Sequence, residues 1–482
     1  MTDYSYFKID ANLIGGEWRG PSGSDGIEVT NPATGELIGT VPKFGAAETK
    51  EAIDAAASAF PAFSALDLNT RVGLLRKLHD ALMDHQEALA ELLTLEQGKP
   101  MAESRGEIAI GAAYIQWFAE EIRRTKGEIV PSSVNGRQLL VTHHPVGVVA
   151  AITPWNFPSS MLARKLGPAL AAGCTTVVKP ASLTPYSALA WGRLAEDVGF
   201  APGVINIVTG SARDIGNTIM ADPKVRKVTF TGSTEVGKEL IRQSAETVKK
   251  ISMELGGNAP FVVFDDADLD RAVAGAMIAK YRNSGQTCVC ANKIYVQSGI
   301  YDAFVTRLAE ATSALKVGDG RDDGVEQGPL VDQAAFKKIK SLVDDATGLG
   351  AKVIVGGKGH PLGGNWFEPT VMTGITPDMQ IAHEEIFGPI SAVFKFDTED
   401  ELVAAANDTD FGLAAYVYTQ DLGRAFRMNA QLQYGMIGIN EGLITTVEAP
   451  FGGLKSSGIG KEGGSQGIVD YLDTKYVCIG GL

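Results

Sequence analysis

The sequence predicts an α/β protein whose centre is a doubly wound, Rossmann-like parallel sheet. Short apolar runs alternate with helical patterns through the middle of the chain, and strands that alternate with helices form parallel sheets. A second alternating series follows Asp265. The predicted strands are 146–152, 175–178, 204–208 and 227–230, and the helices between and after them are 161–172, 187–198, 215–220 and 236–245. Ligands bind such sheets at the carboxyl ends of the strands.

Residues 47–124, before this sheet, are predicted to be mostly helical. Leu74, Leu75, Leu78 and Leu82 are spaced three and four apart, as on one face of a helix.

Residues 128–144 are typical of a projecting β-hairpin, because Asn135-Gly136 is a strong turn signal. An isolated hairpin leaves unpaired edges, which pairing with another subunit would satisfy. The strand-like residues 476–479 near the end of the chain are expected to take part in the same contact.

The second series predicts another α/β unit, with a boundary near residues 255–265. Its expected elements are a helix at 269–281, strands at 294–296 and 353–355, and a helix at 401–406. A chain of 482 residues is also too long for a single ordinary core, so two or three domains are expected.

Composition excludes several classes of function. A net charge of −14 disfavours nucleic-acid and acidic-membrane partners, both of which select a basic face. Four cysteines cannot form a disulfide scaffold and indicate a reducing compartment, so we expect a cytoplasmic protein. The first eight residues lack the pattern of a signal peptide, and no apolar run is long enough to span a membrane. The scattered histidines form no metal-binding pair.

Cys288 is the leading candidate for a nucleophile. Small and polar neighbours surround it in the segment 284–293, whereas a packed core cysteine usually has bulky apolar neighbours. A cysteine that attacks a substrate needs access and a way to become a thiolate. An ordinary buried cysteine remains the commoner alternative for an isolated residue of this type.

Two strand ends indicate a dinucleotide site. Gly232 and Ser233 lie between a strand and a helix, where backbone N–H groups can hold a phosphate, although a plain turn capped by Ser233 would give the same sequence. Lys179 and Ser182 follow another strand, where a ribose would lie. An acidic residue there would repel a 2′-phosphate, so Ser182 favours NADP while NAD stays possible.

Three further polar side chains follow strands or lie in stiff loops. Asn156 lies between two prolines and could be aimed as a hydrogen-bond donor, and Glu254 ends an apolar run before two glycines. Glu385 is a carboxylate close to Phe387. A bare turn or an exposed loop carboxylate would account for each of them taken singly.

Taken together, these segments resemble the aldehyde dehydrogenase family along essentially the whole chain. The matching motifs are TPWNFP (153–158), KPAS (179–182), FTGSTEVGK (230–238), MELGGNAPFVVF (253–264), GQTCVCANK (285–293), EEIFGP (384–389) and PFGGLKSSGIGKEGG (450–464). Within the family, GQTCVCAN and GLITTVEAPFGG are most similar to the bacterial succinate-semialdehyde dehydrogenases that use NADP.

The resemblance implies a role for each candidate residue. Cys288 would attack the aldehyde, Asn156 and the Cys288 backbone N–H would hold the oxyanion, and Glu254 would be the general base. The residues expected to bind the cofactor are Trp155, Lys179, Ser182, Gly232, Ser233, Glu385 and Phe387.

The resemblance also implies a carboxylate-binding pocket. Arg164 and Arg282 match substrate-binding positions, and a guanidinium grips a carboxylate through two parallel hydrogen bonds. A family serine aligns with Thr445-Thr446, and Thr446 is the expected match. The extra methyl group of threonine leaves the choice between succinate and glutarate semialdehyde open.

Cys290 raises a separate hypothesis of a redox switch. If residues 288–290 are extended, their terminal Cα atoms lie about 6.5 Å apart, which a disulfide tolerates. A small packed cysteine is the alternative.

The family resemblance further divides the chain into domains and implies its assembly. The expected cofactor domain is 1–127 with 145–257, the catalytic domain is 258–456, and the oligomerisation segments are 128–144 and 457–482. A homodimer or homotetramer is therefore expected.

Overall fold

Two mostly parallel sheets organise the molecule, for which the computed structural model describes residues 3–21 and 26–482. The strands are β1 Asn12–Ile14, β2 Glu17–Arg19, β3 Gly26–Thr30, β4 Leu37–Pro42, β5 Glu128–Val130, β6 Arg137–Pro145, β7 Val148–Ile152, β8 Thr175–Lys179, β9 Ile205–Ile207, β10 Val225–Thr231, β11 Lys250–Glu254, β12 Ala259–Val263, β13 Ala291–Gln297, β14 Lys352–Val355, β15 Thr370–Thr373, β16 Ile390–Phe396, β17 Ala414–Tyr418, β18 Met436–Ile439, β19 Gly458–Ile459 and β20 Leu472–Gly480.

The helices cover the faces of these sheets. They are α1 Ala46–Ser64, α2 Leu68–Asp84, α3 Gln86–Gln97, α4 Met101–Glu121, α5 Ser160–Ala172, α6 Tyr186–Asp197, α7 Ala212–Ala221, α8 Thr234–Ser244, α9 Leu269–Tyr281, α10 Tyr301–Ser313, α11 Gln333–Gly348, α12 Glu399–Asn407 and α13 Leu422–Gln431.

The first sheet has the order β19-β11-β10-β7-β8-β9-β1-β2. Strands β11, β10, β7, β8 and β9 are parallel, and they include the four strands predicted between residues 146 and 230. Strands β1 and β2 extend one side of the sheet and β19 the other, each antiparallel to its neighbours. The order runs outward from β7 in both directions, which places a topological switch point between β7 and β10, where α/β sheets bind ligands.

The helices that flank this sheet follow from their sequences. In α2, Leu75, Leu78 and Leu82 are buried, as the spacing predicts, and the Asp67 side chain accepts the Thr70 N–H to cap its start. Every residue of α5 is buried, including two cations. Helix α5 therefore lies in the interior, between the sheet and the α2–α4 layer.

The second sheet has the order β14-β15-β16-β13-β12-β17-β18 and is parallel except for β14. The chain passes from the first sheet to the second between β11 and β12, inside the predicted boundary, while β19 returns to the first sheet. The proposed division into domains itself remains a prediction.

A third sheet of three strands stands apart, in the order β20-β6-β5. Strand β20 pairs with β6 along its whole length, so one edge of the predicted hairpin is covered within the chain, and pairing with another subunit stays a prediction. Pairing of β5 with β6 ends at Val130 and Leu139, which leaves a longer loop than a two-residue Asn135-Gly136 turn.

Candidate active site

The carboxyl ends of the parallel strands bring the candidate polar residues together. Asn156 follows β7, Gly232 follows β10, and Glu254 is the last residue of β11. The Gly232 N–H donates to the backbone carbonyl of Glu254 (3.0 Å), which ties the two strand ends to each other. The site therefore lies in the crevice at the switch point.

Two cavities, each of about 290 Å³, meet at Cys288. The arginine cavity is lined by Glu103, Gly106, Glu107, Ile110, Tyr114, Phe157, Ser160, Met161, Arg164, Arg282, Thr287, Cys288, Val289, Leu443, Thr445 and Phe451. The aromatic cavity is lined by Pro154, Trp155, Asn156, Met161, Thr231, Gly232, Ser233, Leu255, Gly256, Cys288, Ala335, Lys338, Glu385 and Phe387. A thiol at this junction can react with one ligand while it faces another.

Cys288 is half-buried on a turn that precedes β13. Burial raises the pKa of its thiol to about 12, and the nearby Arg164 guanidinium partly offsets this rise. The thiol is therefore protonated in the resting protein at neutral pH. A base is needed before it can act as a nucleophile.

Asn156 is buried, and its side chain is directed by a hydrogen bond. One Nδ2 hydrogen is donated to the Gln286 carbonyl (2.9 Å), two residues before Cys288. The second hydrogen of the amide is free of any bond within the described residues. It can be donated to an oxygen bound near Cys288, since both side chains line the aromatic cavity.

Glu254 supplies the only carboxylate that ends a parallel strand of the first sheet, among the residues the structure describes. Its side chain is 2% exposed, and neither carboxyl oxygen has a hydrogen-bond partner in the described part of the chain. Burial, together with the nearby Glu462 carboxylate, raises its pKa well above the usual range. A higher pKa makes the Glu254 carboxylate a stronger base, as a general base requires.

A buried ion-pair cluster beneath Glu254 was not anticipated from the sequence. The Glu462 carboxylate pairs with the Lys165 ammonium and with the Arg164 guanidinium, whose Nε lies 3.1 Å from Oε2. Lys165 also donates to the Thr231 hydroxyl (2.6 Å). The one available signal was the adjacent Arg164-Lys165 pair inside an otherwise apolar helix.

The aromatic cavity has the features of a nucleotide site. Trp155 and Phe387 meet edge to face, with ring centroids 5.5 Å apart. Phe387 has φ +56°, an uncommon backbone conformation for a bulky residue, so its place in the wall is held by its surroundings. Ser233 caps α8 and lines the cavity together with Gly232, so this helix begins at the cavity wall.

Glu385 also lines the aromatic cavity. Its Oε1 accepts the Gly257 N–H (3.0 Å), and its backbone carbonyl accepts the Lys338 ammonium (2.6 Å). Burial raises the pKa of its carboxyl group to about 7, and the Gly257 N–H opposes that rise. Its second oxygen is available to accept a sugar hydroxyl.

Lys179 and Ser182 lie beside the aromatic cavity rather than in its wall. Lys179 ends β8, is buried, and donates to the Pro180 carbonyl (2.9 Å). Burial lowers the pKa of its ammonium to about 8. Ser182 is half-buried three residues later, so both residues occupy the strand end predicted for a ribose.

The two arginines of the arginine cavity have different surroundings. Arg164 is buried, pairs with Glu462, and packs its guanidinium over the Phe451 ring at 4.0 Å. Arg282 is half-buried over the Phe157 ring (5.4 Å) and forms no ion pair within 4.0 Å among the described residues. Arg282 is therefore the guanidinium with free donors toward the cavity.

The expected contact from Thr446 is wrong, because Thr445 and not Thr446 lines the arginine cavity. The Thr446 side chain is exposed and donates to the Glu448 carboxylate, while its carbonyl accepts the Tyr114 hydroxyl (3.1 Å). The prediction therefore missed by one position, since the neighbouring Thr445 is the residue that faces the cavity.

The premise of an extended 288–290 segment is also wrong. The Cys290 N–H donates to the Thr287 carbonyl (3.1 Å), which closes a turn. Cys290 is buried, lines neither cavity, and directs its thiol toward the Lys280 carbonyl (3.5 Å). All four cysteines are free thiols. The redox switch thus stays a prediction without its geometric basis.

Metal sites and membrane-spanning helices were also sought. Over residues 3–21 and 26–482, no group of three or more histidine, cysteine or acidic side chains is arranged to hold a metal ion. Within the same ranges, no helix is long and apolar enough to cross a membrane.

A doubly wound sheet with a thiol, an amide and a carboxylate at its switch point defines a class of thiol-dependent enzymes that use a dinucleotide. The aldehyde dehydrogenase family profile matches residues 18–477, and the chain belongs to this family. This confirms the family and the fold expected from the motifs.

Several proteins are similar to this chain over their full length. The chain is 54% identical to a glutarate-semialdehyde dehydrogenase of Pseudomonas aeruginosa, with all of both chains covered. It is 53% identical to an NADP(+) succinate-semialdehyde dehydrogenase of Escherichia coli, over 100% of this chain and 99% of that protein. The crystal structure of a succinate-semialdehyde dehydrogenase from Burkholderia pseudomallei superposes with a TM-score of 0.98, at 53% identity over 100% and 99% of the two chains.

Proposed function

We propose that this protein oxidises succinate semialdehyde to succinate in the cytoplasm, with NADP as the oxidant. The observation that carries the proposal is the place of Cys288, between a cavity with a free guanidinium and a cavity built for a nucleotide. Relatives that share half of its sequence over the full chain carry names for semialdehyde oxidation.

The first chemical step belongs to Cys288. Its thiol loses a proton to Glu254, directly or through a water molecule, and the thiolate adds to the aldehyde carbonyl to form a thiohemiacetal. The Asn156 amide and the Cys288 backbone N–H stabilise the negative oxygen. A single donor of this kind is typically worth about 3–4 kcal/mol.

The aromatic cavity supports NADP as the hydride acceptor. A side chain at Gly232 would clash with the Phe230 ring, which lies 2.4 Å from the added Cβ. Only glycine therefore fits at this position of the turn beside the cavity. Trp155, Phe387, Ser233 and Glu385 would hold the nucleotide, and Lys179 with Ser182 would bind its adenosine ribose. When bound, NADP accepts the hydride that leaves the thiohemiacetal carbon.

Glu254 would act a second time after a thioester has formed on Cys288. Its buried carboxylate takes a proton from water, and the hydroxide formed attacks the thioester carbonyl. The Cys288 thiolate leaves, and the acid product is released. Both carboxyl oxygens of Glu254 lack a hydrogen-bond partner among the described residues, so either can accept a proton.

Arg282 would bind the carboxylate at the far end of the substrate. Its donors are free, whereas those of Arg164 are shared with Glu462. Thr445 adds a hydroxyl on the same cavity wall. Glutarate semialdehyde, one methylene longer, is the second candidate, because the Pseudomonas aeruginosa relative is named for it.

Self-association would use the three-stranded sheet of β20, β6 and β5. Its outer strands keep one unpaired edge each, and Ile129 and Tyr476 are 74% and 65% exposed. Exposed apolar side chains beside open edges favour pairing with a second copy. We propose a homodimer or a dimer of dimers.

Steady-state kinetics test this proposal. Succinate semialdehyde, glutarate semialdehyde and an uncharged aldehyde of similar length are each assayed with NADP and with NAD, for the wild type and for Cys288→Ser and Ser182→Glu. We expect the highest kcat/KM for succinate semialdehyde with NADP, no turnover by Cys288→Ser, and an NADP-specific loss in Ser182→Glu. An equal kcat/KM for the uncharged aldehyde would exclude the carboxylate pocket.

A further inference from the structure

The backbone carbonyl of Asn156, like its side chain, is held by hydrogen bonds. It accepts the Lys99 ammonium (2.7 Å) and the Asn283 amide (2.9 Å), and all three residues are buried. The Asn156 Oδ1 atom has no hydrogen-bond partner within the described residues. The direction of the amide is therefore set by its Nδ2 bond and by the anchored backbone.

Lys99 occupies a fully enclosed site in the turn between α3 and α4. Gly98 before it has φ +93° and ends α3, which turns the chain so that Lys99 points inward. The ammonium lies 2.5 Å from a Glu107 carboxylate oxygen and 3.8 Å from the centre of the Phe157 ring. The groups in contact with the ammonium therefore include two oxygen acceptors and a π face.

Glu107 connects the same cation to the start of α5. Its Oε1 accepts the N–H groups of Ser159 (2.9 Å) and Ser160 (3.1 Å), while Oε2 accepts Lys99. A carboxylate at a helix N-terminus is stabilised by the helix dipole. The ion pair thus holds both ends of the 156–160 segment.

We propose that the buried Lys99–Glu107 ion pair is a positioning device that holds the Asn156 amide in place to stabilise the oxyanion. The inference rests on the proposed role of Asn156. Neither charge needs to touch the reacting atoms: Lys99 acts through the Asn156 carbonyl, and Glu107 acts through Lys99 and the first turn of α5. A displacement of about 1 Å at such a donor lowers the rate about a hundredfold.

A double-mutant cycle between Lys99→Met and Asn156→Ala tests the proposal. We expect Lys99→Met to lower kcat by about tenfold to a hundredfold. The KM for succinate semialdehyde and the KM for NADP should each change by less than about threefold. Asn156→Ala lowers kcat by about 10²–10³. Since Lys99 acts through Asn156, the double variant is expected to turn over within about threefold of Asn156→Ala alone.

Lys227→Met is the matched control for the loss of a buried lysine. Lys227 is equally enclosed, donates to the Ser252 hydroxyl (2.5 Å), and lies away from both cavities. We expect it to keep the wild-type kcat. If Lys99→Met does not fold, as judged by circular dichroism, Lys99→Met with Glu107→Gln removes both charges and replaces it in the cycle.

The outcomes separate this inference from the proposed function. A wild-type kcat in Lys99→Met, or a loss that multiplies with that of Asn156→Ala, would overturn the positioning role. Full activity of Asn156→Ala would instead overturn the proposed oxyanion donor itself.

Discussion

Burial controls the reactivity of the two groups that transfer protons at the catalytic centre. It raises the pKa of the Cys288 thiol to about 12 and that of the Glu254 carboxyl group well above its usual range. Both groups act only in their deprotonated forms. Higher pH therefore moves both groups toward their deprotonated forms.

We therefore expect kcat/KM to rise with pH from 6 to 9. Glu254→Gln removes the base, and general-base catalysis typically contributes about 10²–10⁴ in rate, so a loss of that order is expected. The pH dependence of kcat/KM, and the rate at which iodoacetamide alkylates Cys288, measure the two effects. A pH-independent wild type, or a Glu254→Gln variant with wild-type turnover, contradicts this assignment.

Replacing each of the two arginines of the arginine cavity should change different kinetic constants. Arg282→Leu removes a free guanidinium, and a hydrogen bond to a charged group contributes about 1.5–3 kcal/mol, so KM for succinate semialdehyde should rise about tenfold to a hundredfold. Arg164→Leu also leaves the buried Glu462 charge with one partner fewer, so it should lower kcat and stability as well. The uncharged aldehyde is the control: its KM should not change in Arg282→Leu.

A Cys288–Cys290 disulfide would require the turn at residues 287–290 to open. We predict that peroxide inactivates the wild type, that a thiol reductant restores it, and that Cys290→Ala loses the recoverable fraction. Activity is measured before and after reduction, with Cys478→Ala as the control because Cys478 is exposed and lies on β20. Recovery of Cys290→Ala equal to that of the wild type rules out the pair.

The site residues could be predicted from the sequence where a short local motif contains them. Cys288, Asn156 and Glu254 each lie in a recognisable motif; Cys288 and Asn156 line one cavity, and the Glu254 carboxylate is near enough to raise the pKa of the Cys288 thiol. Glu462 and Lys99 were missed because their partners lie far away in the sequence. Pairings of this kind depend on the tertiary structure, which no local pattern encodes.

At the scale of elements, strong periodicity predicted helices and parallel strands well. The 269–281 helix matches α9, and the buried runs became β7, β8 and β10. The short antiparallel strands of the first sheet were not predicted: β1 has three residues, and β19 has two. Strands of this length are too short to show an alternation of apolar and polar residues.

The β11–β12 connection positions the turn that carries Cys288. A Cβ at Gly257 would lie 2.2 Å from the Cys288 carbonyl oxygen, so Gly257→Ala must move one of the two backbones. We expect a loss of kcat of at least about tenfold and a lower melting temperature. Gly73→Ala, in α2 with no atom within 4 Å of the added Cβ, should leave kcat unchanged and stabilise the protein slightly. Equal kcat in the two variants would contradict this role.

At the scale of the whole molecule, the active site is shared between the two large sheets. The first sheet supplies Asn156, Glu254 and the α8 N-terminus, while Cys288 precedes β13 and Glu385 precedes β16 of the second. Each sheet alone carries only some of the residues of the active site. The relative position of the two sheets therefore sets the distance between nucleophile and base.

The third sheet contributes nothing to either cavity, so its exposed apolar face should matter for assembly alone. We predict that Ile129→Lys with Val477→Lys converts the oligomer to a 50.9 kDa monomer, because both residues pair with Leu140 and share one face, where two charges would be buried unpaired at the interface. Light scattering after gel filtration measures the mass. Leu37→Lys, an exposed apolar residue on β4 of another sheet, is the control and should keep the wild-type mass. A monomeric wild type, or an unchanged mass in the double variant, excludes this sheet as the interface.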